Sequence, residues 1–224
     1  MKKVKFLASV ALICATITTL YAQVKVGLEV KAGLNVSGFY QDSRDSKSTS
    51  TPGFHTGALV SVNFPTGFAL ESGLLLSTKG HAYEYKYKED KNKFLSEKHY
   101  TYGYLEMPFY VAYRLQLRKV TLMWKAGPYI AAALWGNSRE EWTHYKKKRV
   151  VDYTVKNRNS LYIGNSSSSD LRPFDAGFNF ATGVEIKRFT IGVQYSIGFI
   201  DVLPHHSEGA YNQVFSISGG YRIF

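Results

Sequence analysis

The feature that most constrains this chain is a two-residue alternation that recurs eight times, with one face apolar and the other polar, charged and glycine-rich. In segment 26–40, Val26, Leu28, Val30, Ala32, Leu34 and Val36 share one face, and Glu29, Lys31, Gly33, Asn35 and Ser37 share the other. A period of two is the signature of a β-strand, whose successive side chains point to opposite sides. Seven more segments read the same way, at about 53–64, 68–79, 104–115, 120–135, 175–186, 189–199 and 213–224. Pro108 falls on the polar side of the fourth segment. Proline cannot donate to a ladder, so a bulge or local break is expected there.

Alternation alone does not say which face is outside. A soluble barrel around a hydrophobic ligand would turn the apolar face inward. The connections argue for the opposite orientation. Three are tight (65–67, 116–119 and 187–188) and four are long (41–52, 80–103, 136–174 and 200–212), in strict alternation. Short turns at one end and long loops at the other are the pattern of outer-membrane barrels, with the short turns periplasmic. Segments of this length suffice to cross a bilayer when tilted. The polar face also collects Gly27, Gly33, Gly57, Gly73, Gly127, Gly177, Gly183, Gly192, Gly198 and Gly220, which suits a crowded interior. The expected fold is therefore all-β: an eight-stranded antiparallel up-and-down transmembrane β-barrel with short periplasmic turns and long extracellular loops.

The polar face carries five acids, Glu29, Glu71, Glu106, Asp175 and Glu185, and five bases, Lys31, Lys79, Arg114, Lys125 and Arg222. An eight-stranded barrel has an interior just wide enough for side chains to fill. Unpaired charges there are costly. These ten residues are expected to form a polar network that plugs the lumen, so the barrel should not be an open diffusion pore.

The N-terminus reads as a signal peptide, residues 1–22, ahead of a barrel domain at 23–224. Lys2, Lys3 and Lys5 precede an apolar run from Phe6 to Leu20, and Ala22 offers a small residue before Gln23. The lone Cys14 lies inside that run and is expected to leave with it, so thiol and disulfide chemistry are excluded from the mature chain. The formal charge of +11 is partly concentrated in Lys146, Lys147, Lys148 and Arg149, a run in a long loop. It reads as a solvated loop, or as a contact for lipid headgroups, lipopolysaccharide or a protein partner; nucleic acid is not expected. The histidines, His55, His81, His99, His144, His205 and His206, have no metal-ligand spacing and no recognisable nucleophile beside them. No catalytic residue, cofactor or metal is expected; a lipid A-modifying enzyme built on these histidines is the less favoured alternative.

The motifs Lys31-Ala32-Gly33-Leu34-Asn35, Gly53-Phe54-His55-Thr56-Gly57, Glu71-Ser72-Gly73-Leu74-Leu75, Tyr104-Leu105-Glu106-Met107-Pro108 and Ala126-Gly127-Pro128-Tyr129 follow one another in order. Together they resemble the outer-membrane β-barrel proteins of the Bacteroidetes, the PorT-like or "porin family" barrel domain. The resemblance spans essentially the whole mature chain. It implies outer-membrane location and no catalytic residues. An accessory role in a secretion or uptake complex is the alternative it raises. One departure stands out: Phe224 is terminal and aromatic, but Tyr221 and Ile223 set the apolar phase of the last strand. A bulge near Arg222 would restore its register.

Overall fold

The computed structural model describes residues 24–40, 48–89, 92–146, 149–166, 168–204 and 209–224. The proposed signal segment with Cys14, the loop residues Lys147 and Lys148, and His205 and His206 lie outside the described residues.

The alternating segments are strands, and they are antiparallel throughout. In chain order they are β1 (Lys25–Tyr40), β2 (Ser48–Asn63), β3 (Phe68–Glu89), β4 (Asn92–Leu117), β5 (Val120–Lys146), β6 (Arg149–Arg158), β7 (Phe174–Ile186), β8 (Phe189–Gly198) and β9 (Tyr211–Arg222). Eight of them close a ring in sequence order, β1-β2-β3-β4-β5-β7-β8-β9, with β9 returning to β1. The ninth, β6, stands outside the ring and pairs only with the upper part of β5.

The ring is inside-out relative to a soluble protein. Leu34, Phe54, Leu70, Val111, Ile130, Phe180, Ile191 and Ile217 are exposed on the outer wall, while Glu71, Lys79, Glu106 and Asp175 are buried inside. That distribution has a simple cause: the outer wall is solvated by hydrocarbon and the inner wall by its own side chains. Aromatic clusters mark the short-turn end. Phe68 packs on Tyr113 with ring centroids 5.2 Å apart, Tyr113 stacks near Trp124 at 6.3 Å, and Phe189 meets Tyr221 at 5.2 Å. Glycines on the inner face let strands approach: a Cβ at Gly127 would collide with the Phe109 carbonyl, and one at Gly73 with the Ala58 carbonyl.

Two of the four long connections are not loops. The 80–103 segment is a continuation of β3 and β4 into a hairpin, so Tyr83, Tyr85 and Tyr87 extend a strand. The 136–174 segment contains the upper half of β5 and all of β6. Strands of 22, 26 and 27 residues far exceed the roughly 9–11 needed to cross a bilayer, so β3, β4 and β5 project well beyond it. Polar, charged and aromatic residues alternate along these extensions, which is why they pass for loops when judged by lipid-face hydrophobicity alone.

At Pro108 the β3–β4 ladder is interrupted between the pairs Ser72–Phe109 and Leu75–Glu106 without a change of register, a local break and not a bulge. The β4–β5 register shifts instead between Gly103 and Tyr104, where the extra residue is Leu134 of β5. At the C-terminus, the Ile223 N–H donates to the Leu28 carbonyl at 2.8 Å, and the Leu28 N–H donates to the Phe224 carbonyl at 3.2 Å. Two residues thus oppose one, which is bulge geometry. It leaves both Ile223 and Phe224 exposed.

Candidate functional site

Nine of the ten charged residues of the inner face fall into two groups at different heights, and Lys31 belongs to neither. The lower group, toward the short turns, holds Glu29, Glu71, Glu185, Arg114, Lys125 and Arg222. Lys125 Nζ contacts Glu71 at 2.5 Å and Glu29 at 3.8 Å. Arg114 bridges Glu71, at 3.4 Å, and Glu185, and Arg222 reaches Glu185 at 3.4 Å. The Thr190 hydroxyl donates to Glu29 at 2.7 Å. Below this group a cavity of about 840 Å³ opens toward the short turns, lined in part by Lys25, Asn63, Arg114, Gln116, Glu185 and Arg222.

The upper group is smaller and drier. Lys79 Nζ sits 3.0 Å from Asp175 Oδ2 and 3.2 Å from Glu106 Oε2, with all three side chains at most 5% exposed. Asp175 Oδ2 also accepts from the Tyr129 hydroxyl at 3.1 Å and from Asn212 Nδ2 at 2.9 Å. The Lys79 ammonium lies 4.4 Å from the Tyr129 ring centroid and 5.1 Å from that of Tyr104, within cation–π range.

Between the groups, uncharged polar residues fill the space. Asn35 Nδ2 donates to Ser77 and to the Thr78 carbonyl, while its Oδ1 accepts from Ser216 at 2.9 Å and lies 2.7 Å from His55 Nδ1. The Tyr110 hydroxyl donates to Gln194 at 2.9 Å and accepts from Asn179. Lys31 has no carboxylate within ion-pair distance among the described residues; it lines a cavity of about 30 Å³ with Glu29 and Lys125. A second cavity beside His55 and Lys79 measures about 10 Å³. The first has room for about two waters and the second for at most about one.

Above the Lys79 group an apolar cap packs across the lumen. Tyr102, Tyr104, Tyr129 and Phe39 on the walls pack with Leu161, Leu171, Val202, Leu203 and Ala210 from the two connections that fold inward. The cap is pinned by backbone: the Leu161 N–H donates to Gly136 at 2.9 Å, Arg172 N–H to Val202 at 2.9 Å, and Val202 N–H to Ala210 at 3.0 Å. Asp201 accepts from the Ala210 N–H at 2.9 Å and pairs with Arg172 at 3.6 Å.

The family model of the outer membrane protein beta-barrel domain matches residues 21–203. The chain belongs to this family. Membership places this barrel in the cell outer membrane, where the short turns of such barrels face the periplasm. No curated protein matches it. Among solved structures it is similar to Ail, the attachment invasion locus protein of Yersinia pestis, crystallised with the heparin analogue sucrose octasulfate. Identity is 13%, with 88% of this chain and 99% of Ail covered and a TM-score of 0.37. It is also similar to OprG from Pseudomonas aeruginosa, at 12% identity, 88% and 95% coverage and a TM-score of 0.41. Neisserial surface protein A matches at 11% identity, 87% and 96% coverage and a TM-score of 0.37.

On the extracellular side of this outer-membrane barrel, the extensions of β3, β4 and β5 join β6 in a four-stranded antiparallel sheet. Its inner face stacks His81 on Tyr100 (4.7 Å) and Phe94 on His144 (4.3 Å). Between these two stacks, Tyr85 and Trp142 are exposed. Lys98 lies 5.1 Å from the Tyr100 ring, and the Tyr100 hydroxyl hydrogen-bonded to it holds its ammonium above the usual lysine range. Lys146 and Arg149 are backbone partners at the β5–β6 tip. The described histidines are dispersed: His55 in the mid-lumen, His81 in the aromatic cluster, His99 and His144 on the sheet. Among the described residues no group of three or more His, Cys, Asp or Glu is arranged to hold a metal ion.

Sequence reasoning missed the cap and β6. Leu161, Leu171 and the pair Val202-Leu203 are short apolar interruptions of the connections, without a period to reveal them.

Proposed function

We propose that this protein is a closed outer-membrane barrel whose role is structural and loop-mediated, carried by its extracellular sheet and not by transport through the lumen. The observation that supports this most directly is the layered filling of the interior: a salt-bridged network below, the Lys79 group in the middle, and an apolar cap above. These layers, built from the described residues, oppose the passage of a hydrated ion, whereas the projecting sheet exposes Trp142, Tyr153 and Val155 to the medium. The ten lumen charges serve as a barrel core. Outer-membrane lipid and lipopolysaccharide are its surroundings, and the basic run of Lys146, Lys147, Lys148 and Arg149 carries the charge to meet their phosphates or a protein partner. Reconstitution in planar bilayers tests the closed lumen. The expected record has no porin-sized conductance steps; steady opening at general-porin levels would overturn the reading.

Export by a cleaved leader is part of the same proposal. The mature chain is expected to start at Gln23, which intact-mass measurement of protein from outer membranes would check. The ordered motif series from Lys31 to Tyr129 supports placing the chain on the PorT-like branch of the family, in Bacteroidetes.

A further inference from the structure

Strand β6 is a terminal strand: β5 is its only neighbour, and the backbone hydrogen bonds on its other side have no partner among the described residues. An open strand edge is a template for a further strand. Residues 150–158 are exposed on both faces, including Val150 at 58%, Val151 at 57% and Tyr153 at 53%. The register shift opposite His144/Tyr145 puts a bulge at Val151, so residues 152–158 form the regular part of the edge.

That regular part is self-complementary. If a second β6 pairs antiparallel about a two-fold axis through Thr154, Asp152 faces Lys156, Tyr153 faces Val155, Val150 faces Arg158, and Thr154 faces itself. Opposite charges, an aromatic with a β-branched residue, and Thr with Thr are the cross-strand pairs that stabilise sheets. The two-fold repeats each of the first three, as an isologous contact requires. Registers shifted toward the start of β6 lose this match, whereas a two-fold through Val155 keeps one ion pair, Asp152 with Arg158, and gives up the Lys156 pair. A two-fold between Tyr153 and Thr154 sets Arg149 against Arg158, one through Tyr153 makes no ion pair, and one through Asp152 opposes two carboxylates. The charges therefore guard the edge against indiscriminate pairing and admit a copy of itself.

The membrane then restricts where the second copy can be. An antiparallel mate is generated only by a two-fold perpendicular to the strand. Barrel strands tilt by about 35–45° from the membrane normal. A two-fold along the normal, relating two barrels in one membrane, would cross the β6 strands at roughly twice that tilt instead of reversing them. A two-fold lying in the membrane plane reverses them, and it places the second barrel in a membrane facing the first. β6 runs from the hairpin tip toward its own membrane, as that arrangement needs.

We propose that β6 is a homotypic contact strand, pairing with β6 of a second copy of this chain across two apposed outer membranes. A single such contact is weak, and many copies on each surface supply avidity. The proposal rests on the extracellular placement of the β5–β6 hairpin.

The test uses the full-length barrel in phosphatidylcholine vesicles, with clustering followed by light scattering and two-colour fluorescence. Native vesicles are expected to cluster. D152K and K156D vesicles are each expected to lose clustering at least tenfold, because each variant opposes like charges. Mixed D152K and K156D vesicles should cluster with each other, and the double swap D152K/K156D should cluster with itself. Dispersed native vesicles, undiminished clustering by both single variants, or no rescue in the mixture would each overturn the proposal. Both positions lie beyond the membrane on exposed side chains, and heat-modifiable gel mobility confirms that the variant barrels fold. Protease shaving of intact cells separates the two layers of argument. Protection of 149–158 refutes the extracellular placement, whereas cleavage together with dispersed vesicles refutes only the homotypic contact.

Discussion

The two charged groups of the lumen solve the same problem in opposite ways. In the periplasmic group three acids and three bases interlock. Glu71 meets both Lys125 and Arg114, Glu185 meets both Arg114 and Arg222, and Glu29 has Lys125 and the Thr190 hydroxyl. In the extracellular group a single cation, Lys79, serves Glu106 and Asp175 in a space sealed by the cap. Redundancy suits the end that opens into a water-filled vestibule. At the sealed end, dryness strengthens each contact and leaves no substitute when one is removed. Charge balance over the whole lumen thus conceals an uneven distribution of risk.

The comparison breaks most visibly at Lys79. Lys79→Met leaves two carboxylates buried beside each other with no cation, and removing one partner of a buried pair typically costs about 3–5 kcal/mol. Urea unfolding in lipid vesicles should register a loss of that size, or failure of the barrel to assemble. Adding Asp175→Asn should recover part of it, since one of the stranded charges is gone. If Lys79→Met costs no more than the corresponding change at Lys125, the two groups are equivalent and the contrast fails.

Next in size is the cap. Leu171 is fully buried among Tyr102, Tyr104 and Leu161. Leu171→Ala should cost about 2–4 kcal/mol if the cap is packed as tightly as a protein core. Planar-bilayer conductance is expected to stay flat, because the Lys79 layer still blocks the path. A variant that conducts would show that the cap alone closes the lumen, and would shift the closure from charge to hydrophobic packing.

Lys125→Met should be milder, about 1–2 kcal/mol, because Glu71 keeps Arg114 and Glu29 keeps Thr190. The same urea titration measures it, and its ratio to the Lys79 effect states the redundancy as a number.

Which parts of this contrast the sequence displays follows from geometry. Strand faces are legible because a period of two is local, and Glu29, Lys31, Gly33 and Asn35 declare their side within four positions. Pairing is not legible, because lumen partners meet across the ring: Lys79 and Asp175 are 96 residues apart, and Thr190 and Glu29 are 161 apart. The count of five acids and five bases shows neutrality but not the split between two heights, nor that Lys31 stands apart from both. The cap escapes because Leu161 and Leu171 sit in polar connections. β6 escapes because its bulge at Val151 breaks the alternation where a strand would begin, and because both of its faces are solvated, so no apolar side marks it.

The smallest expected effect concerns the periplasmic turns that hold the redundant end together. Of the three, one already has glycine where the chain turns left-handed, Gly67 at φ 86°. The other two carry Arg118 at φ 31° and Lys187 at φ 58° in the two-residue links between Leu117 and Val120 and between Ile186 and Phe189. A left-handed conformation costs an L-residue about 1–2 kcal/mol, and glycine returns roughly 0.5–1 kcal/mol of that through its greater unfolded-state entropy. Lys187→Gly should therefore stabilise the barrel by about 0.5 kcal/mol, seen as a higher urea midpoint with an unchanged slope. A fall in the midpoint would mean that the Lys187 side chain supplies more than the strain it tolerates. The periplasmic end would then depend on individual residues after all, which is the property that otherwise distinguishes the Lys79 layer.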